Sequence, residues 1–168
     1  VNHAEDRMML TDLTFVPLFE KLQDKLPKVK GFVIMTDRAH MPATSLRNPI
    51  CYEELIAEGD PSFDWPQFDE HTACGMCYTS GTTGNPKGVV YSHRSNVLHG
   101  MMCCFADAMN LSSRDAIMPV VPMFHANAWS LAFSSPIAGA KLVLPGPKLD
   151  GASLYELIDT EKVTCTAA

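Results

Sequence analysis

The sequence predicts an α/β fold: a largely parallel sheet with flanking helices. Three observations carry that prediction. Short apolar runs of strand length alternate with stretches of helical period along the chain. The first of these, over residues 7–36, reads strand–helix–strand, the unit from which parallel sheets are built. Glycine and proline close the periodic segments, at Pro27, at Gly59 to Pro61 and at Pro145-Gly146-Pro147.

Taken in order, Arg7 to Thr11 forms a short strand. Leu13 to Leu26 repeats apolar residues at helical spacing until Pro27 stops it. Gly31 to Thr36 is an apolar strand, 37–50 is loop, and Tyr52 to Glu58 is a short acidic helix. Residues 61–71 form a linker with aromatic side chains. Strands at Gly75 to Thr79 and Val89 to Tyr91 flank a Gly/Thr-rich loop. Ser92 is placed to cap a helix reaching about Met109, whose apolar positions 97, 98, 101, 102, 105 and 109 suit one buried face. Then follow a strand over Asp115 to Val121, a helix over Ala128 to Ala138 with Pro136 near its end, and a strand over Lys141 to Leu144. A helix over Leu149 to Lys162 and a strand over Val163 to Thr166 complete the chain. Both ends read as abrupt, and the expectation is a piece of a longer protein.

Composition narrows the function. The chain has 168 residues, 46% apolar and 19% charged, ordinary values for a globular domain with a core. A net charge of −6 and no Lys/Arg run argue against a nucleic-acid partner. Val1 to Arg7 are polar and acidic, which predicts no secretory signal there. The most apolar stretch, 116–144, is broken by three prolines, His125, Asn127 and Lys141, and so predicts no membrane span. Of the six cysteines, Cys74 and Cys77 have redox or zinc spacing. They sit in a strand-like run, however, where residues three apart face opposite ways. Buried, reduced thiols are the expectation for the set, which fits a cytoplasmic setting.

The informative segment is Tyr78-Thr-Ser-Gly-Thr-Thr-Gly-Asn-Pro-Lys-Gly88. Hydroxyls and backbone N–H groups in such a loop can wrap phosphate oxygens, and Lys87 adds a mobile positive charge. It is not a Walker A loop: counting from Gly81, Pro86 stands where the second glycine belongs, and Gly88 follows Lys87. Nor is it a dinucleotide turn, because the glycines at 81, 84 and 88 lead into a strand instead of a helix. A phosphate-type loop between two strands remains. A second block, Pro122-Met-Phe-His-Ala-Asn-Ala-Trp129, puts His125 in a loop after a strand, where α/β folds place ligand contacts. Taken alone, that histidine reads as a packing residue.

The Tyr78–Gly88 loop resembles the signature loop of the adenylate-forming (AMP-binding) superfamily, and Pro122–Trp129 resembles the following block of medium- and long-chain fatty-acyl-CoA synthetases. Tyr91-Ser-His-Arg-Ser-Asn96 and the spacing between blocks are similar too. The resemblance implies an incomplete part of that superfamily's N-terminal domain. Residues 1–70 would be its lead-in and linker, and 71–168 its phosphate-loop and acyl-pocket segment. It implies an ATP-dependent ligase that joins a fatty acid to coenzyme A through an acyl-adenylate, with Mg²⁺ on the phosphates. Thr79, Ser80, Gly81, Thr82, Thr83, Gly84 and Lys87 would then hold the ATP phosphates, and Thr79 would approach the metal. His125 would stand beside the acyl carboxylate and α-phosphate as the catalytic residue. Asn127 and Trp129 would contact substrate, Trp129 as an aromatic gate. His93 and Arg94 would position the strand–helix turn. His3, His40, His71 and His99 read as structural or surface residues.

The superfamily's Tyr-Gly-x-Thr-Glu and Thr-Gly-Asp motifs do not occur among these residues, nor do its hinge and C-terminal lysine. The expectation is that this chain alone is inactive, and that a full-length protein is a cytoplasmic enzyme, with a homodimer its candidate assembly. Two alternatives stay open: another acyl- or aryl-acid adenylating enzyme, or a nucleotide-binding module without catalysis.

Overall fold

In a computed structural model, residues 1–79 and 84–168 are described. They form two compact units, Val1–Pro66 and Gln67–Ala168. In the first, strands β1 (Met8–Thr11), β2 (Gly31–Ile34) and β3 (Pro49–Cys51) pair in parallel in the order β1-β2-β3. The central strand, Gly-Phe-Val-Ile, is buried throughout, the mark of a strand covered on both faces. The expected helix over 13–26 is split. A 3₁₀ turn at Leu13–Phe15 is capped by the Asp12 carboxylate, α1 runs over Val16–Leu22, and a second 3₁₀ turn covers Gln23–Lys25. Pro17, in the first turn of α1, needs no backbone donor there. Strand β3 lies inside the stretch read as loop, since three residues starting with proline are too short to show a period. The short helix α2 follows at Tyr52–Ala57. Val16, Leu26, Val29, Phe32, Ile34 and Leu46 form the core, with the Phe19 and Phe32 rings 5.5 Å apart.

The second unit opens with an antiparallel hairpin of β4 (Ala73–Tyr78) and β5 (Gly88–Ser92), carrying a bulge between Ala73 and Gly75. Helix α3 (His93–Cys103) follows. A parallel sheet in the order β7-β6-β8 is built from β6 (Ala116–Pro119), β7 (Lys141–Leu142) and β8 (Cys165–Ala167). Between β6 and β7 lie α4 (Ala126–Trp129) and α5 (Leu131–Ala138), and α6 (Gly151–Glu161) precedes β8. The Asp150 carboxylate caps α6 by accepting from the Ala152 and Ser153 amides, and these bonds hold its carboxyl below the usual range. Cys103, Leu111, Ile117, Leu131 and Ala167 make the core of this unit. Two parallel sheets with helices bear out the α/β class.

Three expectations are corrected here. Helix α3 stops at Cys103, not near Met109, because the chain turns back: the Leu111 amide donates to the Cys103 carbonyl at 3.1 Å. Its buried positions are Gly100 and Cys103, while Val97, Leu98, Met101, Met102 and Phe105 are exposed. The cysteines are not uniformly buried either. Cys51 and Cys103 are, Cys74 is exposed, and the other three are intermediate. All six are free thiols. Burial pushes the Cys103 and Cys165 thiols up, which keeps them protonated.

Candidate functional site

The first part of the site is the base of the hairpin loop. Tyr78 pairs with Gly88 at the end of the ladder. Beyond it the Thr79 amide donates to the Lys87 carbonyl at 3.0 Å, and the Lys87 amide donates to Thr79 Oγ1 at 3.2 Å. Two reciprocal bonds thus clamp the loop where Thr79 and Lys87 enter it. At Gly88 a Cβ would lie 2.6 Å from Met76 Sδ, so a side chain there would displace the Met76 tip. Gly84 and Lys87 are exposed, and among the described residues Lys87 makes no ion pair. Of the candidates for phosphate binding, Ser80, Gly81, Thr82 and Thr83 lie outside the described residues.

The start of α3 is tied to the segment before the hairpin. Ser92 and Ser95 form a reciprocal capping box: Ser92 Oγ accepts from the Ser95 amide, and Ser95 Oγ from the Ser92 amide. Arg94 Nη1 lies 2.5 Å from Glu70 Oε1, and the His93 ring packs on Phe68 at 4.7 Å. Asn96 Nδ2 donates to Cys74 Sγ at 3.0 Å. Cys77, three residues on and on the other face of β4, instead reaches Asn127. Among the described residues no group of three or more His, Cys, Asp or Glu could hold a metal ion.

The second block leaves the end of β6. The Ala167 carbonyl accepts from the amides of Val120 and Val121, so strand order is lost just after Pro119. The His125 amide then donates to the Pro122 carbonyl, closing a turn. The expected helix over 128–138 does not begin there. Ala126, Asn127, Ala128, Trp129 and Ser130 all hold positive φ, between 46° and 64°, which makes α4 a left-handed turn. Only asparagine among these tolerates that region readily. The turn persists because Ala128 and Ser130 are buried and because the Ser130 amide donates to the Ala126 carbonyl. Right-handed helix resumes at Leu131. Ser134 and Ser135, fully buried, return their hydroxyls to the Ser130 and Leu131 carbonyls.

These elements meet. Cys77 Sγ lies 3.5 Å from Asn127 Oδ1, joining the hairpin to the left-handed turn. A cavity of about 360 Å³ opens beside that contact, lined by Tyr91, Ser95, Asn96, His99, Asn127 and Trp129, among others. Asn127 and Trp129 therefore share one cavity, and Thr79 and Lys87 share the loop base. His125 is exposed just before the turn and lines neither. Tyr91, Ser95, Asn96 and His99 are cavity residues that the sequence reading did not select. The signal for the last three was their spacing, which puts them on neighbouring positions of one helix. His40 and His71 keep local roles, each with Nδ1 on a nearby aspartate, Asp37 and Asp69.

A family model described as AMP-binding enzyme matches residues 1–168. The chain is 54% identical to a medium-chain-fatty-acid–CoA ligase of Ectopseudomonas oleovorans, over 98% of this chain and 30% of that protein. It is 49% identical to a 3-methylmercaptopropionyl-CoA ligase of Ruegeria pomeroyi, with the same two coverages. Against a long-chain-fatty-acid–CoA ligase of Thermus thermophilus it is 48% identical, over 99% of this chain and 29% of the relative. The chain thus spans about 30% of the length of these relatives. A solved long-chain-fatty-acid-CoA ligase from Archaeoglobus fulgidus superposes with a TM-score of 0.79 at 21% identity, over 97% of this chain and 30% of that one. That likeness speaks for the fold.

Proposed function

The chain belongs to the AMP-binding enzyme family, and from that premise we propose that it is part of an ATP-dependent fatty-acyl-CoA ligase. The observation that carries the reading is the contact between Cys77 and Asn127, which sets the hairpin strand leading to Thr79 against the second block. The reaction needs both. A carboxylate oxygen attacks the α-phosphorus of ATP, the bond to the β-phosphate breaks, and pyrophosphate leaves. The thiol of coenzyme A then attacks the acyl carbonyl, and AMP leaves as the thioester forms. Positioning and charge neutralisation do most of this work.

In this reading Thr79, Ser80, Gly81, Thr82, Thr83, Gly84 and Lys87 hold the ATP phosphates, with Lys87 as a point charge. His125 stands by the carboxylate and α-phosphate, and Asn127 and Trp129 bound the acyl site. Magnesium takes oxygen ligands. Thr79 Oγ1 accepts one bond, from the Lys87 amide, and keeps a lone pair for the metal. The remaining ligands would be phosphate oxygens and water; bound there, the metal supplies charge neutralisation. The identity to a medium-chain-fatty-acid–CoA ligase favours fatty acids over aryl acids. We further propose a cytoplasmic enzyme of fatty acid metabolism, with a homodimer as its assembly. No described helix is long and apolar enough to cross a membrane.

The full-length protein, given ATP, Mg²⁺, coenzyme A and a panel of straight-chain and aryl acids, should release AMP and form acyl-CoA with the straight-chain acids. The Lys87→Ala variant should lose about 100-fold or more in kcat/KM. An aryl-acid preference overturns the fatty acid assignment, and no AMP release from any acid overturns the ligase.

A further inference from the structure

Helix α3 carries His99, Met102 and Cys103 at spacings of three and four residues, which set their side chains on one face of the helix. Just past the helix the chain turns back, with the Leu111 amide on the Cys103 carbonyl at 3.1 Å, and this return brings Met109 to the same place. The four residues line a cavity of about 240 Å³, whose wall Ala108 and Trp129 complete. One imidazole, one thiol and two thioethers thus border a single space. His99 Nδ1 lies 3.7 Å from Cys103 Sγ. A single metal ion would span that distance: bonds of about 2.3 Å to sulfur and about 2.0 Å to nitrogen, meeting at about 120°, set those atoms about 3.7 Å apart. The same distance suits a weak S–H···N bond, so the other donors decide. Zinc is held by Cys, His and carboxylates, and among the described residues no three of these gather. Thioether sulfur suits a soft ion, and copper is the ion that thiolate, thioether and imidazole all accept.

We propose that His99, Met102, Cys103 and Met109 form a binding site for a soft monovalent cation, Cu(I). On binding, the S–H bond of Cys103 breaks, an S–Cu bond forms, and the proton passes to solvent. Copper keeps its oxidation state, so no electron is exchanged. The thiolate neutralises the charge of the ion, and a neutral centre is one that a cavity bordered by methionine and alanine can hold. His99 Nδ1 gives the second bond, and the flexible methionines supply the rest. His99 and Met102 are exposed, which leaves the ion a way in from solvent.

The test titrates the reduced full-length protein, without oxygen, with Cu(I) buffered by bathocuproine disulfonate. Wild-type protein should hold one ion more than the Cys103→Ala variant. The Met102→Leu/Met109→Leu double variant keeps the apolar bulk and the fold. It should bind that ion about tenfold or more weakly, at least the effect of losing an outer-shell partner. Zn(II) offered in place of Cu(I) should add no ion at these residues. Equal copper in wild type and Cys103→Ala overturns the site. A double variant that binds copper as tightly as wild type also overturns it, since a Cys103→Ala protein that merely unfolds would leave the methionines irrelevant. Zn(II) held there as tightly as Cu(I) overturns the soft ligand set.

Discussion

Ser130 carries two unfavourable features at once. Its φ of 64° lies in the left-handed region, and its buried hydroxyl has no hydrogen-bond partner among the described residues. A non-glycine residue there costs about 1–2 kcal/mol, and an unpaired buried hydroxyl about 1–3 kcal/mol. It precedes α5 but makes no side-chain cap bond to it. Ser130→Gly removes both penalties, against about 0.5–1 kcal/mol for a more flexible unfolded chain. The substitution should raise stability by about 1–4 kcal/mol in urea unfolding; a loss of stability would sink this account. Backbone of this kind persists at binding sites because the surroundings impose it. That is also why it was not legible in the sequence. Asn127 is the one residue of the turn with a local preference for positive φ, and Ala126, Ala128 and Trp129 read as ordinary helix formers. Burial of Ala128 and Ser130, a tertiary effect, overrides that preference.

At the scale of elements, α3 shows where a periodic pattern misleads. Most of the apolar residues expected to form its buried stripe are exposed, whereas its start was legible, because the Ser92 cap is a local signal. Which face it buries was not. Helix α3 meets α5 through Gly100, where a Cβ would lie 2.5 Å from Ile137 Cδ1 and 3.7 Å from Ser134 Cα. Absence of a side chain makes that contact, and a hydrophobic pattern cannot register an absence. An alanine could be absorbed by movement of the Ile137 tip, while a branched residue would press on the α5 backbone as well. Gly100→Val should therefore destabilise by about 1–3 kcal/mol through overpacking, read as a lower thermal unfolding midpoint. An unchanged midpoint would show that the two helices separate freely.

For the whole molecule, the sequence showed each half of the candidate site but not their meeting. Local composition raised the expectation of a phosphate-type loop over Tyr78–Gly88, and the end of a strand was enough to put His125 outside regular strand or helix. That Cys77 and Asn127, 50 residues apart, touch is a consequence of packing, which no short-range pattern encodes. The same distinction bears on activity. A phosphate grip supplies charge neutralisation and part of the positioning, yet adenylation also needs the nucleoside held in line with the attacking carboxylate, and that alignment supplies a large share of the rate. The 168 residues contain neither a Tyr-Gly-x-Thr-Glu nor a Thr-Gly-Asp segment, which the ligase reading proposed above would assign to adenine and ribose contacts. This chain by itself should therefore catalyse no exchange of radiolabelled pyrophosphate into ATP in the presence of a fatty acid, whereas the full-length protein should. Exchange above background by the 168-residue chain would mean that Thr79, Lys87, His125 and their neighbours align ATP unaided.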